Sequence, residues 1–231
     1  MPLTMTDAGW PLIPREVLPA PVEAVRPARR RPDPVVDGGR QLPFFGAETT
    51  EPAPADLVGL LAGPGRLERM GGTARVSVMV DAAWRVHVLV SELVGRGLVV
   101  NWAPVPGEGA ETPGPAGFRV RTAYSSRLSG LAHGWPPGGG GRLFLSGPRL
   151  RLWVAAAGEP VPDGYALRLD PDGGAEIAHA ALVEVGLGGT VSDTGPAYLI
   201  SGRKRLALLA EMVGERPETA PAAMWPGAAA A

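Results

Sequence analysis

At 231 residues and 45% hydrophobic content, the chain is long enough for one or two domains and can bury a sizeable core. Its net charge of −1 gives no general attraction to nucleic acid, and the absence of cysteine excludes disulfides, thiol catalysis and cysteine-held metal. Glycine and proline, 33 and 26 residues, make up about a quarter of the chain, which points to long irregular pieces. His87, His133 and His179 are scattered singly, so no metal site and no cofactor is expected. The first thirty residues lack a basic segment followed by an apolar run, and no stretch reaches bilayer-spanning length, so a cytoplasmic protein is expected.

Residues 1–54 alternate proline, alanine, valine and charge with no sustained period, and are expected to form a disordered arm. Within it, Gln41-Leu42-Pro43-Phe44-Phe45 concentrates apolar bulk after a glutamine. Glutamine both donates and accepts hydrogen bonds, and proline pre-sets an extended backbone, so such a peptide suits docking into pockets of a partner. The five residues resemble the pentapeptide that docks on the bacterial DNA sliding clamp. That resemblance implies that Gln41, Leu42, Phe44 and Phe45 bind the clamp. The alternative is that Phe44 and Phe45 open the folded core as a strand or a staple. Upstream, Arg26, Arg29, Arg30, Arg31 and Arg40 outnumber Asp33 and Asp37, a solvated charge run or a contact to DNA.

The folded part repeats itself. Val76, Val78, Val80 and Asp81 recur 89 residues later as Tyr165, Leu167, Leu169 and Asp170, and Leu93, Val94, Gly97 and Leu98 recur as Leu182, Val183, Gly186 and Leu187. Each copy predicts a period-2 strand, a turn and a helix stopping at a glycine. The continuation aligns Phe118-Arg119-Val120 with Tyr198-Leu199-Ile200, and Arg127-Leu128 with Arg205-Leu206. The expected organisation is an α+β duplication, each copy αββαββα, over residues 55–136 and 149–216. Residues 137–148 are expected to link the copies, and 217–231 to be a second disordered tail. The Gly138–Gly141 run is read as linker, because no Lys-Ser or Lys-Thr follows it as a phosphate loop requires.

Leu57-Val58-Gly59-Leu60-Leu61-Ala62-Gly63-Pro64-Gly65 resembles the signature helix of the LAGLIDADG homing endonucleases, with Leu152 to Gly158 as a second copy. Small residues suit helices that pack backbone to backbone. The chain is also similar to the N-terminal domain of the WhiA sporulation regulators, a non-catalytic branch. The endonuclease resemblance implies one acidic metal ligand just before the last glycine of each helix. Those positions hold Pro64 and Ala157, with Glu68 and Glu159 as the nearest substitutes. No nucleophile elbow, zinc-protease motif or Walker lysine occurs, so the protein is not expected to be an enzyme.

The resemblance further implies that each sheet forms one side of a saddle on DNA, contacted by alternating strand residues. Arg75, Arg119, Arg121 and Arg168 fit that pattern, with Arg203, Lys204 and Arg205 near the last helix; a solvated polar face is the alternative. Basic and acidic residues nearly balance across the core, so its own affinity for DNA would be weak. The expectation is a monomer with internal pseudo-two-fold symmetry, serving DNA replication or repair, with translesion synthesis among the candidate pathways, docked on the sliding clamp and binding DNA or a polymerase-associated partner. The alternative is a WhiA-like transcriptional regulator, although that family's helix-turn-helix domain has no counterpart in Gly214 to Ala231.

Overall fold

The computed structural model describes residues 46–106, 115–137, 142–171 and 174–227. The first copy runs α1 (Val58–Ala62), β1 (Arg66–Met70), β2 (Thr73–Val80), α2 (Ala83–Gly95), β3 (Val100–Pro106), β4 (Pro115–Thr122) and α3 (Ser129–Gly134). The second runs α4 (Gly147–Ala157), β5 (Gly158–Val161), β6 (Gly164–Arg168), α5 (Ala175–Glu184), β7 (Thr190–Val191), β8 (Ala197–Ser201) and α6 (Arg203–Val213). Each copy forms one antiparallel four-stranded sheet, ordered β1-β2-β4-β3 and β5-β6-β8-β7. The order αββαββα therefore occurs twice, as the sequence led us to expect.

The repeat extends to the helix ends. Gly97, at φ 71°, closes α2 with Gly97 N to Val94 O at 2.8 Å and Leu98 N to Leu93 O at 3.2 Å. Gly186, at φ 82°, closes α5 with Gly186 N to Val183 O and Leu187 N to Leu182 O. This pair of bonds needs a left-handed residue, which glycine adopts without a Cβ penalty, and the following leucine is buried in both copies.

The centre is helical. In α4, Leu150 and every residue from Leu152 to Ala157 are buried, which an amphipathic surface helix would not show. Helix α1 packs directly on it. A Cβ at Gly59 would collide with the Arg149 carbonyl, and one at Gly63 with the Trp153 indole, whose Nε1 donates to Arg168 O at 2.9 Å. The expected backbone-to-backbone approach thus occurs at Gly59, while an aromatic ring covers Gly63. One continuous apolar core joins both copies through these helices.

Three expected boundaries differ. Residues 46–54, assigned to the arm, pack on the core: Gly46 is buried, Ala47 N donates to Met212 O at 2.8 Å, and Glu48 Oε1 accepts from Glu215 N. The contacts are to backbone, which hydrophobic patterning does not register. Residues 217–227 also fold back, burying Ala220 and Trp225, with Trp225 Nε1 donating to Gly214 O and Tyr165 Oη to Met224 O. Within the expected linker, Leu143, Leu145 and Ser146 are buried, so its C-terminal part belongs to the core.

Candidate functional site

Strand alternation places two rows of side chains on each sheet. In the first sheet Ala74, Val76, Val78, Val80 and Val120 point into the core. The other row faces outward, with Arg66 opposite Ser77, Glu68 opposite Arg75, Ser77 opposite Arg121, and Met79 opposite Arg119. Asn101 and Ala103 of β3 continue it beside Arg121 and Arg119. Arg66, Glu68, Arg75, Arg119 and Arg121, with Pro171 from the second copy, line a depression of about 450 Å³ on this face.

The charges on this face are unequal in their commitments. Arg75 Nη2 donates to Glu68 Oε2 at 2.6 Å, and its guanidinium lies 4.7 Å from the centre of the Tyr124 ring. Tyr124 Oη donates to the same carboxylate at 3.3 Å. The hydrogen bond from Arg75 holds the Glu68 carboxyl below the usual carboxylate range; Tyr124 and the Arg121 charge add to this, against a contribution from burial. Arg119 and Arg121 are exposed and have no hydrogen bond or ion pair among the described residues. They are positioned by the strand yet available to an anion.

The second sheet differs at the same positions. Val78 pairs with Val120, and its repeat Leu167 pairs with Tyr198, so Val120 corresponds to Tyr198. This corrects the sequence alignment, which set Phe118 against Tyr198, two residues off. A period-2 pattern is unchanged by a shift of two, so the strand alone could not reveal it. With the register fixed, Arg66, Arg75, Arg119 and Arg121 correspond to Glu159, Gly164, Ala197 and Leu199. Arg168, expected to face DNA, lies on the outward row and gives its Nη2 to Asp81 Oδ2 at 2.7 Å.

Between the sheets lie the C-terminal ends of α1 and α4. Pro64 and Ala157 occupy the two positions before Gly65 and Gly158 and carry no ligating side chain. At the end of α4 the carbonyls of Val154, Ala155 and Gly158 accept from the fully buried guanidinium of Arg85, which also pairs with Asp81 Oδ1 at 2.9 Å. Burial lowers the Arg85 pKa, partly offset by Asp81; the Asp81 carboxyl, pushed up by burial, is nonetheless held low by Arg85 and Arg168. Arg66 meets Asp170 at 3.3 Å across the junction of the copies. A cation of the protein's own already occupies the helix-end carbonyls, so the residues present do not fit a pair of divalent ions there. Among the described residues no three of His, Asp and Glu gather as metal ligands would.

The other expected site residues lie off this face. Arg203, Lys204 and Arg205 are exposed on the first turn of α6, the last helix, and Arg205 Nη1 donates to Ser201 O at 3.3 Å. Gln41, Leu42, Phe44 and Phe45 lie outside the described residues. Trp153 is buried, whereas Trp102 is half exposed at the β3 edge, touching Phe118 edge-on. Arg66, Glu68 and Tyr124 were not assigned to the binding face from sequence. The alternation Arg66-Leu67-Glu68 was the available signal for the first two, while Tyr124 follows β4 with no period to mark it.

The order αββαββα, twice, with α1 and α4 packed together at the centre, is the arrangement implied by the sequence resemblance. It is the element order that a LAGLIDADG-like fold would have. No protein-family profile matches the chain, and no curated protein matches it. Among solved structures it is similar to the homing endonuclease I-WcaI bound to its DNA recognition sequence, at 11% identity and a TM-score of 0.49, over 73% of this chain and 84% of that one. It is similar to the N-terminal LAGLIDADG domain of DUF199/WhiA, at 10% identity and a TM-score of 0.47, over 71% and 81%. A third is I-DmoI in complex with DNA and manganese, at 16% identity and a TM-score of 0.42, over 71% and 97%. Among the described residues no helix is long and apolar enough to cross a membrane.

Proposed function

We propose that this protein is a non-catalytic DNA-binding accessory factor of replication or repair, brought to DNA by the sliding clamp. The observation that carries the DNA reading is the outward face of the first sheet, where Arg119 and Arg121 stand uncommitted beside Arg66 and Arg75. Rigid guanidinium forks on adjacent positions suit phosphate oxygens, which accept bidentate hydrogen bonds. Pro64 and Ala157, with Arg85 on the helix-end carbonyls, support a role without cleavage.

Two uncommitted arginines on a core of balanced charge give a weak hold on DNA. Recruitment compensates for that weakness, because a tethered module experiences an effective concentration of roughly millimolar. The peptide Gln41 to Phe45 supplies the tether in this reading, through its resemblance to clamp-binding pentapeptides. It ends one residue before Gly46, which is buried on the core, so docking would hold the folded part close to the clamp.

The test uses the full chain. Fluorescence anisotropy should show duplex binding that R119A/R121A reduces by about tenfold at low salt, with an unchanged thermal melt. Q41A/F44A/F45A should abolish co-elution with purified clamp and leave DNA affinity intact. Magnesium-dependent plasmid cleavage would overturn the non-catalytic assignment, and clamp co-elution surviving the triple substitution would overturn the tether.

A further inference from the structure

We infer that the protein engages DNA through one sheet only, so that its contact is a single half-site rather than the full span of a two-sided saddle. This rests on the DNA reading above and narrows its ligand to a duplex segment of about one helical turn or less.

The geometry sets the scale. Neighbouring strands lie about 4.8 Å apart, so a four-stranded sheet measures about 15 Å between its outer strands, whereas one turn of duplex spans about 34 Å. The first sheet's longest strands, β2 and β4, have 8 residues each and run about 26 Å. One sheet thus reaches less than one turn in either direction, and covering two half-sites requires phosphate contacts from both sheets. In the second sheet Glu159, Ala197 and Leu199 stand where the first has Arg66, Arg119 and Arg121. Its own arginine on that face, Arg168, is tied to Asp81 at the junction. A carboxylate, a methyl and an isobutyl group neutralise no phosphate, and releasing counterions is what drives non-specific association. The second face therefore adds area without adding affinity. The duplicated core keeps two sheets because they share one hydrophobic centre, while only one of them holds the ligand.

Duplexes of about one turn and about two turns separate this from a symmetric saddle. Wild-type protein should bind both within about twofold, once the number of overlapping positions is taken into account, with a salt slope of about −2 to −4 for each. A197R/L199R restores cations at the two partly exposed positions. It should bind the longer duplex about tenfold tighter, steepen its slope by about 2, and leave the shorter duplex within about twofold. A wild-type preference of tenfold or more for the two-turn duplex, with a steeper slope, would overturn the one-sheet inference and leave the DNA reading standing. Failure to bind either duplex would overturn both.

Discussion

The inward faces of the two sheets match far better than their outward faces. Val76, Val78 and Val120 are answered by Tyr165, Leu167 and Tyr198, all buried, and α2 and α5 stop with the same pair of backbone bonds. Outside, four arginines are answered by Glu159, Gly164, Ala197 and Leu199. Packing constrains the inside of both copies equally, since a cavity or a buried charge is costly wherever it occurs. The outside is constrained only by what it meets, and the difference indicates that the two outer faces meet different surroundings.

Trp153 belongs to both copies, so removing it should damage them together. Trp153→Ala empties the space beside Gly63 and removes the bond to Arg168 O, and should cost about 3–5 kcal/mol in denaturant unfolding. A melt in which one sheet unfolds while the other persists would break the shared-core picture. A smaller effect concerns the ionic cluster that ties α2 to α4. Glu92 meets Arg96 at 2.7 Å and Arg151 at 2.6 Å. Burial pushes the Glu92 carboxyl up, but Arg151 and Arg96 outweigh it and hold its pKa below 4.5. A pKa lower in the folded state stabilises the fold above the unfolded value and loses that contribution as pH falls through the folded value. Stability should therefore drop below about pH 4.5 in wild type, and Glu92→Gln should be less stable at neutral pH with a shallower acid limb, read from urea midpoints across pH. The smallest effect sharpens the contrast between faces. Glu68 is the carboxylate among the first sheet's arginines, so Glu68→Gln releases Arg75 and should tighten duplex binding a few-fold while steepening the salt slope by about one. Weaker binding would instead make Glu68 a contact to the ligand.

Much of this was legible in the sequence because helix stops and strand periods are local. Gly97 and Gly186 marked the helix ends, and the row of alternating valines marked β2. What escaped was non-local. The pairing of Val120 with Val78 fixed a register that period-2 patterning leaves free by two residues. Arg168 fitted a DNA-facing row in one dimension, and only the fold brought Asp81 to it. Arg85 sits in the first turn of α2, with nothing in the neighbouring sequence to say that its guanidinium would cap α4 from 69 to 73 residues away. Residues 46–54 were read as arm because their attachment runs through backbone groups and glycine.

Amide hydrogen exchange on the full chain with and without duplex DNA tests the comparison most directly. Binding through the first sheet predicts slowed exchange in β1, β2 and β4 and no change in β5, β6 and β8. Equal protection of both sheets, or protection confined to the second sheet or to the first turn of α6, would contradict it.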